Sequence, residues 1–303
     1  MSDRTVIIIA GPTAVGKTAA AVGLAKELST SIISADSRQC FKELNIGVAK
    51  PSPEELNAVH HYFINSHSIH DEVTAAGFEE LAQGWTEDIF YNQEAAGKRP
   101  VAVMVGGTGL YIKAYSEGLD AIPPIDPAIR QQILHHYEEG GLTWLQEQIR
   151  DHDPAFFLAG EIQNPQRLMR ALEVKKATGH SILSFQKLAK KQRSFHMEKI
   201  GLFLPKEELR QRINVRVDSM MVNGLLEEVK KLLPHRELNA LQTVGYSELF
   251  EHLDGRISLD EAAEAIKMNT RRYAKRQMTW FRKDPSIRWV DAREEIQLKN
   301  SIR

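Results

Sequence analysis

Cysteine is nearly missing from this 303-residue sequence: Cys40 stands alone, so neither an intramolecular disulfide nor a cysteine-based zinc site is possible, as suits a reducing compartment. Proline (12) and glycine (19) are scattered rather than gathered into tracts, which excludes collagen-like and low-complexity chains. Nowhere do ~18 uninterrupted apolar residues occur, so no membrane-spanning helix is expected. The N-terminal apolar run, TVIIIA at residues 5–10, is too short for a signal-peptide core and passes directly into Gly11-Pro12. Secretion gains no support, and a cytoplasmic location is the expectation. The chain also lacks net charge, at −1.

What is present is ordinary globular material, 42% apolar and 26% charged, with length for one elaborated domain or two. The charge is unevenly placed. Residues 1–120 carry 9 Lys/Arg against 15 Asp/Glu, which leaves the rest of the chain net positive. Residues 163–193 hold Arg167, Arg170, Lys175, Lys176, Lys187, Lys190, Lys191 and Arg193 with a single acid, Glu173. Residues 267–283 hold Lys267, Arg271, Arg272, Lys275, Arg276, Arg282 and Lys283 with none. One such block reads equally well as a solvated helix face; two favour a polyanionic partner such as nucleic acid.

Residues 5–10 read as a buried strand, followed by a loop and a helix over 18–28. Residues 31–35 and 101–105 are further strand candidates, with weaker ones at 200–204 and 287–290. Strands alternating with helices predict an α/β core, a parallel sheet flanked by helices with ligands at its carboxyl ends. From 129 to 188 the pattern is wholly helical, entered through Pro123-Pro124 and Asp126-Pro127, which predicts an inserted all-helical domain. The expected division is 1–122, first part of the core; 123–199, helical insertion; 200–303, remainder of the core. Leu209, Ile213, Val217, Met220 and Leu225 trace one helical stripe. Ser258 and Glu261 form a capping box opening a long helix that Asp284-Pro285 ends.

Gly11-Pro12-Thr13-Ala14-Val15-Gly16-Lys17-Thr18 fits G-x-x-x-x-G-K-[ST] between a predicted strand and helix, the context that this phosphate-binding motif requires. Glycines let backbone N–H groups turn onto a diphosphate, Lys17 adds positive charge, the helix N-terminus favours the anion, and the Thr18 hydroxyl is a candidate Mg²⁺ ligand. The core is thus expected to be P-loop NTPase-like, which brings ATP binding with it as a possibility. The usual second element, a strand ending in Asp, is missing at the third strand, which runs into Gly106-Gly107-Thr108-Gly109. A carboxylate follows the second strand instead, in Asp36-Ser37-Arg38-Gln39. Asp36 has two jobs open to it, outer-sphere support of Mg²⁺ or general base toward an acceptor beside the diphosphate.

The succession of motifs resembles the bacterial tRNA dimethylallyltransferase (tRNA isopentenyltransferase) family over nearly the whole chain. It is carried by the phosphate loop, Asp36 to Gln39, Ile46-Gly47-Val48-Ala49-Lys50-Pro51, His60-His61 and Gly106-Gly107-Thr108-Gly109-Leu110-Tyr111. It continues through Arg167 to Arg170 with Ala171-Leu172-Glu173, Arg212 and Arg216 through Gly224, Val244-Gly245-Tyr246, and Lys275 to Arg282. Phe41 and Val48 depart from the commoner family residues, and the zinc finger of eukaryotic relatives is absent.

The resemblance implies transfer of a dimethylallyl group from dimethylallyl diphosphate to N6 of the adenosine 3′-adjacent to the tRNA anticodon, releasing pyrophosphate, with Mg²⁺ as cofactor. It implies a monomer with no obligate protein partner. The phosphate loop would then hold the leaving group, with Arg216 as a further diphosphate ligand, and Asp36 would take the N6 proton. Thr108 would lie near both substrates. An extruded base must be gripped on its edge and its faces. Contacts to tRNA are expected from Asp36, Ser37, Arg38, Gln39 and Thr108 at the reacting end. In the insertion they are expected from Arg130, Gln166, Arg167, Leu168, Met169 and Arg170. Gln242, Thr243, Val244, Gly245, Tyr246 and Ser247 follow by resemblance, and Lys275, Arg276, Gln277, Met278, Thr279, Trp280, Phe281 and Arg282 from the terminal helix. In that helix Arg272, Arg276 and Thr279 share one stripe, Arg271, Lys275 and Arg282 the next, and Tyr273, Gln277 and Trp280 face inward.

Arg212 has two readings, an anion ligand one turn from Arg216 or a surface partner of Glu208, also four residues away. His60, His61, His67 and His70 invite a metal site, but no carboxylate or cysteine at ligand spacing completes one. The competing functions are a small-molecule kinase with Asp36 as base, an RNA-binding module that senses phosphate, and a prenyltransferase acting on free adenine nucleotides.

Overall fold

The computed structural model describes residues 4–186 and 190–294. Lys187 and Leu188, which the sequence places at the end of the helical region, lie outside the described residues. The chain divides into two compact units, 1–117 with 192–303, and 118–191.

The larger unit begins β1 (Thr5–Ala10), α1 (Lys17–Glu27), β2 (Ile32–Ser34), α2 (Pro53–Ala58), β3 (His61–Tyr62), α3 (Ala75–Ala95), β4 (Val101–Gly106) and α4 (Gly109–Glu117). After the insertion, whose helices are α5 (Pro127–His152), α6 (Pro154–Ala159) and α7 (Pro165–Thr178), it resumes. There follow β5 (His196–Phe203), α8 (Lys206–Val222), α9 (Leu225–Leu232), α10 (Tyr246–Leu253), α11 (Leu259–Phe281) and β6 (Ile287–Asp291). The six strands form one parallel sheet in the order β3-β2-β4-β1-β5-β6.

Both faces of that sheet are covered, which is why its central strands read as unbroken apolar runs. Val6, Ile8, Ile33, Ala102 and Met104 pack into one core, and Ile7, Ile9, Ile32, Val103 and Leu202 into the other. Because the strands run parallel, the carboxyl ends of β1, β2 and β4 lie on one rim, where α/β sheets hold ligands.

Two expectations need correcting. β5 starts at His196, which pairs with Thr5, so 192–199 belong to the core, and the insertion spans 118–191 rather than 123–199. Its polar first half is satisfied by ion pairs from the β6 end, Lys199 to Asp284 at 2.7 Å and Glu198 to Arg288 at 2.9 Å, which hides it from an apolar pattern. The two-residue strand β3 carries no apolar run and was not anticipated.

In the insertion, three helices open on the same device, an Asp or Asn cap followed by proline at Asp126-Pro127, Asp153-Pro154 and Asn164-Pro165. Ile133, Leu145, Ile149, Phe156, Leu168, Met169 and Leu172 form its own core. Among the described residues no helix is long and apolar enough to cross a membrane.

Candidate active site

The loop after β1 bends tightly. Gly11 (φ 145°) lies so close to β5 that a Cβ there would meet Leu202 O at 2.6 Å. Ala14 (φ 64°) and Gly16 (φ 104°) are left-handed, and Gly16 caps α1 without a side-chain hydrogen bond. No acidic residue occupies the first turn of α1, so its free N–H groups are available to an anion. The loop is braced from α11: Gln277 accepts from Thr13 N at 2.8 Å and donates to Gly107 O at 2.9 Å. Lys17 Nζ donates to Pro12 O at 2.7 Å, and Arg216, from α8, donates to Thr13 Oγ1 at 3.3 Å.

These groups surround a cavity of about 250 Å³ lined by Thr13 to Ala19 of the loop except Val15, with Asp36, Gln39, Glu55, Gly106, Gly107, Arg216 and Tyr273 among its other walls. Desolvation pushes the Lys17 ammonium down to about 7; Asp36 opposes that shift and Arg216 adds to it. Burial likewise lowers Arg216, which still carries its charge. A cradle that holds two cations out of water suits an anion.

A second cavity of about 530 Å³ adjoins the first. Its lining includes Ser37, Arg38, Gly47, Gln242, Thr243, Val244, Gly245, Ser247, Asn269 and Arg276. Thr13, Asp36, Val48, Ala49, Arg216 and Tyr273 line both. Asp36 Oδ1 accepts from Arg38 N (2.9 Å) and Gln39 N (3.3 Å), a turn that fixes the carboxylate at this junction. Oδ2 takes no hydrogen bond among the described residues. A group held between the two cavities would therefore have the cationic cradle on one side and a carboxylate acceptor on the other.

The structure brings together the whole phosphate loop, Arg216, Asp36 to Gln39, Gln242 to Gly245, Ser247 and Arg276. It places other expected residues elsewhere. Thr108 lines neither cavity; its hydroxyl accepts from Ser37 N at 3.0 Å and lies 3.3 Å from Ser37 Oγ, so it supports the Asp36 turn. Gln277 is a brace of the cradle, buried to 5% exposure, and Phe281 is core. Tyr246 is fully buried, its hydroxyl donating to Glu228 at 2.6 Å. Leu168 and Met169 are core residues of the insertion. These side chains take bracing or packing roles in the structure; on the helices, periodicity decides which side chains of a segment face solvent.

Lys275, Arg276, Thr279 and Arg282 are exposed, with Met278 half-buried and Trp280 packed against Gly109. In the insertion Gln166 is exposed, Arg130 and Arg170 share Glu173 (3.7 and 3.1 Å), and Arg167 pairs with Glu161 at 3.2 Å. Arg212 takes the surface reading, bonded to Glu208 at 2.9 Å. His61 Nδ1 donates to Val59 O at 2.8 Å, and His60 packs edge-on against Tyr62. Tyr273 and Asn269 also join the cavity walls, on the face of α11 that carries Gln277.

Comparison with known proteins finds relatives over nearly the whole chain. The IPP transferase family model matches residues 39–284. A tRNA dimethylallyltransferase of Christiangramia forsetii is 49% identical over 291 residues, 96% of this chain and 94% of that one. The tRNA dimethylallyltransferase 1 of Bacteroides fragilis is 42% identical over 298 residues, covering 98% and 97%. Among solved structures, the full-length tRNA isopentenylpyrophosphate transferase of Bacillus halodurans matches with TM-score 0.70 and 34% identity over 99% of this chain and 95% of that one. A eukaryotic dimethylallyltransferase acting on tRNA matches with TM-score 0.72 and 26% identity, over 95% and 74%.

Proposed function

Since this chain belongs to the IPP transferase family, we propose that it transfers the dimethylallyl group of dimethylallyl diphosphate to N6 of the adenosine 3′-adjacent to a tRNA anticodon, releasing pyrophosphate. The observation that carries the reading is the place of Asp36, on the wall common to the cationic cradle and the wider cavity.

The diphosphate sits in the cradle under Lys17, Arg216 and the α1 N-terminus, which favour the charge that builds on oxygen as the C1–O bond breaks. The adenine enters the wider cavity and presents N6 to C1. Its amine is a weak nucleophile, with a lone pair delocalised into the ring, and a proton must leave as the N–C bond forms. Asp36 accepts that N–H, orients the amine and takes the proton. Thr18 is the oxygen donor that would hold Mg²⁺, and it lines the cradle. When bound, Mg²⁺ would neutralise charge on the leaving diphosphate.

The test is incubation with unmodified tRNA, Mg²⁺ and radiolabelled dimethylallyl diphosphate, followed by digestion to locate the label. Label on the adenosine 3′ of the anticodon is expected. Label transfer from [γ-³²P]ATP to an acceptor hydroxyl, with none from the prenyl donor, would identify a kinase instead. Asp36→Ala is expected to keep tRNA affinity and lose at least ~10²-fold in rate; near-normal turnover would remove Asp36 from its role.

A further inference from the structure

The turn that carries Asp36 is held from a distance. Glu228, on α9, directs its carboxylate at the loop between β2 and α2: Oε2 accepts from Ile46 N at 2.8 Å, and Oε1 accepts from Gly47 N at 3.1 Å and from the Tyr246 hydroxyl at 2.6 Å. Three donors on one carboxylate are charge-assisted and directional. α9 is itself anchored, with Leu225, Val229 and Leu232 in the core. The fit depends on glycine at 47, because a Cβ there would meet the Tyr246 ring at 2.6 Å.

The loop so held does two things. Val48 and Ala49 line both cavities, and Ala49 is kept in a left-handed conformation (φ 50°) that an alanine adopts only under constraint. Their carbonyls accept from Gln39 Nε2 at 3.3 and 3.0 Å, and Gln39 N in turn donates to Asp36 Oδ1 at 3.3 Å. Hydrogen bonds, joined by short stretches of covalent chain, thus run from Glu228 through 46–49 and Gln39 to Asp36.

We infer that Glu228 is a positioning residue for the transfer step: by fixing the 46–49 loop it sets, through Gln39, where the Asp36 carboxylate stands between the cradle and the wider cavity. The inference rests on the prenyl-transfer reading and adds to it a residue that touches neither reactant. Contiguity alone does not establish coupling, so the test must measure it.

Glu228→Gln keeps the volume but replaces an acceptor by an amide N–H that faces the donors of the loop. With unmodified tRNA and dimethylallyl diphosphate its kcat is expected to fall about 10- to 100-fold, while the Kd for pyrophosphate with Mg²⁺, measured by calorimetry, stays within about twofold. The deciding measurement is the cycle with Asp36→Asn: once the carboxylate is gone, adding Glu228→Gln is expected to change the residual rate by less than about twofold. Tyr246→Phe, which removes one of the three hydrogen bonds and leaves the ring over Gly47, is expected to show a smaller loss of the same kind, and stands in should Glu228→Gln fail to fold.

Equal losses with and without Asp36, or a fall in pyrophosphate affinity that matches the fall in rate, would reduce Glu228 to general structure and overturn the inference. Unimpaired turnover in Glu228→Gln, with the wild type active, would overturn it alone. A wild type that transfers no prenyl group would overturn the prenyl-transfer reading and this inference with it.

Discussion

Lys17 works against its surroundings. The fold withdraws its ammonium from water beside a second cation, Arg216, and holds its pKa down to about 7 with only Asp36 pulling the other way. A bound diphosphate adds negative charge at that spot and raises the pKa of the complex. The sign of the pH dependence follows. Below pH ~7 Lys17 is already protonated in the free cradle, and its contribution to affinity is flat. Above that pH, binding must take up a proton, and affinity falls by up to about tenfold per unit until the pKa of the complex is reached. Calorimetry of pyrophosphate with Mg²⁺ in buffers of different ionisation heat will read this directly. Relative to Lys17→Met, which removes the titrating group, the wild type is expected to take up almost no extra proton at pH 6 and close to one at pH 8.5. Equal uptake by the two proteins at pH 8.5 would mean that Lys17 does not titrate on binding.

At the scale of elements, the parts legible in sequence are those whose partners are near in the chain or whose pattern is unbroken. TVIIIA followed by Gly11 to Thr18 announces strand, cradle and helix together; Ser258 with Glu261 announces the start of α11, where the cap is found. What stayed hidden depends on partners far away. The charged start of β5 is stable because residues of and near β6 neutralise it, and the three donors to Glu228 lie 18, 181 and 182 positions off. Gly106 carries a constraint that the sequence does not display. It ends β4 so close to the Asp36 segment that a Cβ would stand 2.1 Å from Ala35 O, a backbone atom with little room to give. Gly106→Ala is therefore expected to destabilise the fold by roughly 1–3 kcal/mol and to slow transfer by displacing the neighbour of Asp36. Gly84→Ala in α3, where an added Cβ meets nothing within 4 Å, is expected to be neutral or stabilising by up to about 1 kcal/mol. Denaturation midpoints of the two variants test the contrast, and comparable shifts would show that the close approach at Gly106 relaxes without cost.

Across the whole molecule, charge is sorted rather than balanced, with the acidic excess in the first 120 residues and the basic excess after them. The physical question is which cations are free to meet phosphate. Arg130, Arg167 and Arg170 are already engaged with Glu173 and Glu161, so an RNA phosphate must displace a carboxylate to reach them, and the net gain is small. On α11 the neighbours are neutral. Arg272 donates to the Asn269 amide, Arg276 lies over the Tyr273 ring and on the wall of the wider cavity, and Arg282 is exposed at the helix end. These three offer charge without a carboxylate to compete, and they follow the helix away from the site where the target base is proposed to enter. Each phosphate they neutralise releases counterions and adds about 0.7–0.9 to the slope of log K against log salt. Replacing Arg272, Arg276 and Arg282 together by Gln is expected to flatten that slope for tRNA by about 2 to 2.7, with pyrophosphate affinity held. Replacing Arg130, Arg167 and Arg170 is expected to flatten it less, because Glu173 and Glu161 already offset much of the charge of those three. Filter binding of unmodified tRNA between low and physiological salt gives both slopes, and a larger change from the second triple than from the first would move the principal phosphate-tracking surface from α11 to the insertion.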